Sequence, residues 1–144
     1  MLFRSYLPFE MKPANGLECY SPEVVSRLGN TCLSLVWCTT WEESALQELV
    51  ESMDALHGGR QLLLPGAIKG VSRISQKLDS IAADQLTDPT PFVWVDDGMT
   101  EEERQRVTDT FVATPHLVIQ PDKTLGINEA QLSSIEVFAA GFNN

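Results

Sequence analysis

The sequence predicts an α/β fold with a mostly parallel sheet. Three short, nearly continuous apolar runs are ended by polar or turn-forming residues, as is typical of strands covered on both faces; they lie at 32–38, 92–95 and 116–119. Segments with apolar residues at helical spacing separate and follow these runs. Strands that alternate with helices are typical of an α/β domain whose sheet is mostly parallel.

Length and composition predict one globular domain. The chain has 144 residues, of which 43% are hydrophobic, so it is long enough to bury a core and too apolar for a disordered acidic tail. No run approaches the roughly 18 apolar residues of a membrane span, and the first residues lack the apolar region of a secretory signal. We therefore expect no membrane partner.

Cysteine content and charge exclude further classes. Cys19, Cys32 and Cys38 are odd in number, which favours buried thiols in a reducing, cytoplasmic compartment over a disulfide framework. The sequence contains no CxxC motif and no cluster of His and Cys, so it does not predict a structural zinc site. The formal net charge is −10. Because contact with a nucleic-acid backbone needs Lys and Arg, we expect no broad nucleic-acid binding.

Residues 1–20 are predicted to form an irregular N-terminal segment, and residues 21–144 the α/β domain. Proline, asparagine and glycine interrupt the first segment, and no apolar period persists in it. Ser21, Pro22 and Glu23 then supply the cap, the first-turn proline and the first-turn acid of a helix. This helix is predicted over 22–28.

The strand at 32–38 is predicted to lead through a tight turn into a helix. Thr39 and Thr40 follow the strand, and each has a glutamate three residues later, which is the spacing of a capping box. Apolar residues at helical spacing then continue to about residue 57. Residues 60–70 contain only three consecutive leucines, so a short strand and a packed loop both remain open.

The second half of the chain is predicted to be helix, strand, helix, strand, helix. Apolar spacing predicts a helix over about 71–86, followed by a loop and the strand at 92–95. A capping box of Thr100 and Glu103 opens a charged helix that reaches about residue 111. After the strand at 116–119, Asn128 and Gln131 predict the cap of the last helix. That helix is predicted to be amphipathic, with an apolar face of Leu132, Ile135, Val137 and Phe138.

The candidate site residues follow the predicted strands, because ligands of parallel sheets bind beyond the carboxyl ends of the strands. Asp96 and Asp97 come directly after an apolar strand, where two adjacent carboxylates repel each other. A hard cation such as Mg²⁺ relieves that repulsion, since it takes one or two carboxylates and keeps its waters. Alternatively, the pair begins a turn or caps the next helix. Gln120 and Asp122 follow the third strand.

Thr39 and Thr40 are candidates for a phosphate site. A hydroxyl group and the free backbone N–H groups of a helix N terminus can hold a phosphate. Ordinary helix capping explains the same pattern. Lys77, taken alone, has the position of a surface residue within a helical pattern.

Five segments taken together resemble one known family. In order, they are YSPEVV at 20–25, LVWCTTWE at 35–42, Lys77-Leu78, PFVWVDD at 91–97, and Asp122 with Leu125-Gly126-Ile127. They resemble the haloacid dehalogenase-like hydrolases, most nearly the compact phosphatase-like domains related to those of bacterial RNA-repair proteins. The resemblance covers about residue 20 to residue 144. It implies a three-layer α/β sandwich with a Rossmann-like, mostly parallel sheet.

The resemblance also implies roles for individual residues. Thr39, with Thr40 beside it, resembles the strand-end hydroxyl that binds the transferred phosphoryl group. Lys77 resembles the lysine that steadies the phosphoryl oxygens, and Lys69 is the alternative for that role. Asp96 and Asp97 resemble the acidic pair that holds Mg²⁺. The implied function is a Mg²⁺-dependent phosphohydrolase acting on a phosphorylated small molecule or a nucleic-acid end.

One part of the family pattern is missing. Catalysis in this family begins with a strand that ends in Asp-x-Asp, which supplies the nucleophile and the general acid/base. The chain has no Asp before Asp54, so we expect the first strand to be replaced by residues 2–7, the sheet to be rearranged, or the native chain to start upstream. We accordingly expect a truncated or catalytically impaired phosphohydrolase. The alternative is a non-catalytic phosphate- or metal-responsive binding module or scaffold.

Overall fold

The structure, a computed structural model, describes residues 12–13, 19–33, 48, 51 and 77–142. The elements with defined bounds are β1 (Lys12–Pro13), β2 (Cys19–Tyr20), α1 (Pro22–Gly29), α2 (Lys77–Thr87), β3 (Phe92–Val95), α3 (Glu101–Thr110), β4 (His116–Ile119) and α4 (Glu129–Ala140). Glu48 and Glu51 are also helical, as predicted for that segment. Within these ranges, no helix is long and apolar enough to cross a membrane.

The two apolar strands β3 and β4 pair in parallel. Phe92 is opposite His116, and the register continues to Val95 opposite Ile119. Beyond the strand end, the Asp96 backbone N–H donates to the Ile119 carbonyl at 3.1 Å. Helix α3 lies between the two strands in the sequence, as the crossover of a parallel pair requires. The predicted α/β class and the predicted parallel pairing are therefore confirmed for this part of the chain.

One face of the strand pair carries the main apolar core. Alternate residues of a strand share a face, and here Phe92, Trp94 and Val118 meet side chains from α2 and α3. The helices contribute Leu78, Ile81, Val107 and Phe111, and the loop after β3 contributes Met99. Phe92 and Phe111 meet edge to face, with ring centroids 4.9 Å apart. This core fixes α2 against the carboxyl end of β3.

The three predicted helix caps that lie within the described residues formed as predicted. Thr100 and Glu103 make the reciprocal capping box of α3, and Asn128 and Gln131 make that of α4. The Ser21 hydroxyl accepts from the Val24 backbone N–H at the start of α1, at 3.2 Å. Each cap satisfies backbone donors that the first helical turn leaves without intrahelical partners.

Ion pairs join α1 to α4. The Arg27 guanidinium donates to Glu129 Oε2 at 2.7 Å and to both carboxylate oxygens of Glu136. The hydrogen bonds from Arg27 lower the pKa of Glu129 below its usual range. The same bonds raise the pKa of Arg27, because they favour its charged form. The Arg27–Glu129 contact is therefore strongest when Glu129 is ionised.

Replacing Glu129 with Gln is expected to destabilise the protein at neutral pH and to have almost no effect in acid. A carboxylate whose pKa is lowered by folding stabilises the fold above its unfolded pKa, about 4.3. That contribution disappears as the pH falls through the lower folded value. Urea unfolding at pH 7, 5 and 3 measures the change. Asp84→Asn, at an exposed position on α2, is the control, and a wild-type advantage over Glu129→Gln that persists at pH 3 would contradict the assignment.

Several local predictions differ from the structure. β1 and β2 pair antiparallel, with Lys12 opposite Tyr20, within the segment predicted to be irregular. Cys32, predicted to be a buried thiol, is exposed, with its Sγ 3.3 Å from the Ala139 carbonyl. That prediction was wrong because the strand expected at 32–38 does not include Cys32 or Leu33. Residues 34–38 lie outside the described ranges.

The helix predictions identified the segments but not every buried position. In α4, Leu132 and Ile135 are buried as expected, whereas Val137 is 74% exposed and Ala139 is buried in its place. In α2, Leu86 is 87% exposed. The remainder of the helix predicted over 71–86, residues 71–76, lies outside the described part of the chain.

Candidate functional site

The candidate site lies at the carboxyl ends of the parallel strands. Asp96 directly follows β3, and Gln120 directly follows β4. The parallel register brings these two ends to the same edge of the sheet. Lys77, the first described residue of α2, reaches this edge because the apolar core holds α2 against β3.

Lys77 and Asp96 form a partly buried ion pair. Lys77 Nζ lies 2.8 Å from Asp96 Oδ2, with 16% of the lysine side chain and 7% of the aspartate side chain exposed. The two residues are 19 positions apart in the sequence. The structure therefore brings together two of the predicted site residues.

The two carboxylates of the acidic pair have different surroundings. Asp96 accepts from Lys77 through Oδ2 and from the Gly98 backbone N–H through Oδ1, at 2.9 Å. Asp97 is exposed at the same strand end. Asp96 thus organises the turn, as the structural alternative predicted, while Asp97 is open to solvent.

A polar network surrounds the end of β4. Gln120 donates through Nε2 to the Met99 carbonyl at 2.8 Å and accepts from Arg104 Nη2 at 2.7 Å. Gln131 donates to the Gln120 carbonyl at 3.0 Å. The sequence identified Gln120 by its position after a strand, but Arg104 was missed, since an arginine on an exposed helix carries no distinguishing pattern.

Asp122, a candidate because it follows the third predicted strand, forms a tight turn. Its Oδ1 accepts from the backbone N–H groups of Thr124 and Leu125, both at 2.8 Å. These bonds lower the pKa of the exposed Asp122 carboxyl. Gly126 closes the turn with a φ of 75°, a left-handed conformation that favours glycine. Asp122 Oδ1 is thus already hydrogen-bonded to the backbone of the turn that it begins.

The remaining predicted site residues lie outside the described ranges. These are Thr39 and Thr40, the predicted phosphate-binding residues, and Lys69, the alternative lysine. Among the residues that the structure describes, no group of three or more His, Cys, Asp or Glu could hold a metal ion. The acidic pair supplies two carboxylates, a number compatible with Mg²⁺, which usually retains several waters.

Comparisons with known proteins identified no relative of this chain. No protein-family model matches the chain, and searches of curated proteins and of solved structures gave no significant match.

Proposed function

We propose that this chain carries the phosphate- and metal-binding part of a Mg²⁺-dependent phosphohydrolase of the haloacid dehalogenase-like type. The observation that carries the proposal is the 2.8 Å contact between Lys77 Nζ and Asp96 Oδ2 at the carboxyl end of β3. A lysine and an acidic pair at one edge of a parallel sheet combine the charges that bind a phosphate ester and a cation. The ligand would be a phosphorylated small molecule or a nucleic-acid end.

The lysine has a defined role in this proposal. Lys77 is held in place by Asp96 and is 16% exposed, so its ammonium group keeps limited contact with solvent. A partly desolvated ammonium group attracts an anion more strongly than one in bulk water. Lys77 would therefore bind a phosphoryl oxygen. Thr39 and Thr40, which follow the strand predicted at 32–38, would donate to the same phosphate.

The acidic pair would hold the cation. Asp97 is exposed and Asp96 is fixed next to it, so the two offer the small number of carboxylates that Mg²⁺ accepts. Once bound, Mg²⁺ would neutralise charge on the phosphoryl oxygens. The ion pair between Asp96 and Lys77 would also keep the lysine adjacent to the acidic pair.

The fold of the described residues supports the same proposal. Helices α2 and α3 cover one face of the β3–β4 pair, and α4 contacts β4. We propose that the complete sheet is the middle of a three-layer sandwich. A sheet of this type binds ligands where β3 and β4 end, which is the edge that carries Lys77 and the acidic pair.

A second function is favoured by one feature of the sequence. Residues 1–144 contain no Asp-x-Asp pair, so they do not supply the nucleophile and general acid/base of the family pattern. A non-catalytic module that binds Mg²⁺ and phosphate would need only the residues named above. Turnover separates the two functions: hydrolysis of phosphomonoesters by protein isolated from its own source supports the phosphohydrolase, and binding without hydrolysis supports the module.

Calorimetric titration with Mg²⁺, in the presence and absence of inorganic phosphate, tests the site itself. We expect the wild type to bind Mg²⁺ and Asp97→Asn to bind it at least about tenfold more weakly, because a carboxylate ligand is lost. Asp84→Asn is the matched control, since it makes the same charge change at an exposed position of α2. Equal affinities in the wild type and both variants, or no Mg²⁺ binding at all, would contradict the proposed site.

A further inference from the structure

Two consecutive residues at the end of β4 anchor both ends of the acidic loop, which we define as residues 96–99. At its start, the Asp96 backbone N–H donates to the Ile119 carbonyl at 3.1 Å. At its end, the Met99 carbonyl accepts from Gln120 Nε2 at 2.8 Å. Asp97 lies between these anchors. The position of its backbone therefore depends on both bonds.

The orientation of the Gln120 amide is determined by its neighbours. Arg104 has only donors, so it must face the amide oxygen, and it does so at 2.7 Å. The Met99 carbonyl only accepts, so it must face the amide nitrogen. A carboxylate at this position could not bond both partners, because an ionised carboxylate has no donor for the Met99 carbonyl. Glutamine fits both requirements.

The backbone of Gln120 is held as well. Its carbonyl accepts from Gln131 Nε2 at 3.0 Å, and Gln131 also completes the capping box of α4. The Met99 side chain, 4% exposed, is fixed in the apolar core beneath the loop. The core and the start of α4 thus hold the two partners of the Gln120–Met99 bond in place.

We propose that Gln120 is a positioning residue for the acidic pair, and that Arg104 sets the orientation of its amide. Gln120 would act through the loop backbone, fixing the orientation of Asp97 relative to Asp96. This inference rests on the proposed function, because it assigns Gln120 to the same Mg²⁺ site. It adds a residue that contacts neither the cation nor the phosphate.

The first test is calorimetric titration with Mg²⁺ of Gln120→Ala against Gln105→Ala. Gln105 is exposed on α3 and donates to Asp109 Oδ1 at 3.0 Å. It matches the residue type, and none of the hydrogen bonds between described residues joins its side chain to the loop. We expect Gln120→Ala to bind Mg²⁺ about tenfold more weakly, as is usual for residues that support metal ligands. Gln120→Ala loses two side-chain hydrogen bonds and is expected to melt at a somewhat lower temperature, so both variants are titrated well below their melting temperatures. Equal Mg²⁺ affinities would overturn the proposal.

The second test needs no metal. Gln120→Glu preserves the size of the side chain and the Arg104 contact but removes the donor to Met99. Hydrogen exchange of the Gly98 amide, which donates to Asp96 Oδ1, should become several times faster in Gln120→Glu and stay unchanged in Gln105→Glu. Unchanged exchange in both variants would overturn the positioning role, whereas failure of the wild type to bind Mg²⁺ would overturn the proposed function.

Discussion

Asp96→Ala is expected to lower the free energy of unfolding by about 3 kcal/mol. The Lys77 ammonium group, whose side chain is 16% exposed, would lose its carboxylate partner at 2.8 Å. A partly buried charge without a partner is costly, because limited contact with solvent replaces only part of the lost interaction. The Gly98 backbone N–H would lose its acceptor at the same time. Urea unfolding at pH 7 measures the change.

The neighbouring carboxylate provides the control for this prediction. Asp97→Ala removes an exposed carboxylate from the next position and should change the free energy of unfolding by less than about 0.5 kcal/mol. In a double-mutant cycle, Lys77→Met should recover part of the loss in Asp96→Ala, since it removes the unpaired ammonium group. Equal effects of Asp96→Ala and Asp97→Ala would show that the ion pair contributes little to the fold.

Leu132→Ala is also expected to lower the free energy of unfolding by about 3 kcal/mol. Leu132 is fully buried, on the same face of α4 as Ile135 and Ala139. Truncation removes apolar surface from the core and leaves a cavity that close-packed neighbours fill only in part. Chemical denaturation followed by tryptophan fluorescence measures the loss. The large expected effect reflects complete burial rather than residue type.

The same helix supplies the matched control. Val137 is 74% exposed on α4, so Val137→Ala removes apolar atoms from solvent-facing surface and should change the stability by less than about 0.5 kcal/mol. If Val137→Ala were as destabilising as Leu132→Ala, the buried face assigned to α4 would be incorrect.

Elements specified by neighbouring residues were predictable from the sequence. The strand at 92–95 is four apolar residues between a proline-containing loop and two aspartates, and it forms as predicted. The α3 cap depends on Thr100 and Glu103 alone, three residues apart, and both of its hydrogen bonds are present. In such cases the spacing of neighbouring residues is enough to predict the element.

Features that depend on distant neighbours were not predictable in this way. The exposure of Val137 and the burial of Ala139 follow from which face of α4 meets the rest of the fold. The surroundings of the exposed Cys32 likewise could not be predicted, because they include the Ala139 carbonyl, 107 residues away. The apolar run beginning at Cys32 suggested burial. A sequence pattern shows which residues are apolar, but it does not show where neighbouring elements pack.

The candidate site was predictable in part. Strand-end position singled out Asp96, Asp97 and Gln120, because the edge of a parallel sheet follows from the order of its strands. The resemblance assigned Lys77 to the same site as the acidic pair, but the Lys77–Asp96 ion pair was not predicted, because it depends on how α2 packs against β3. The role of the Met99 carbonyl could not be predicted, since a backbone acceptor looks the same at every position of a sequence.

The spacing of contacts suggests an order of assembly. All paired residues of β3 and β4 are 24 positions apart in the sequence, as Phe92 and His116 are. The Arg27–Glu136 pair, in contrast, spans 109 residues. Closing a longer chain segment costs more entropy, so we expect the β3–α3–β4 unit to form first and the ion pairs of α1 to dock late. Loss of those ion pairs would then mainly speed unfolding, and the edge that carries Asp96 would form before α1 docks.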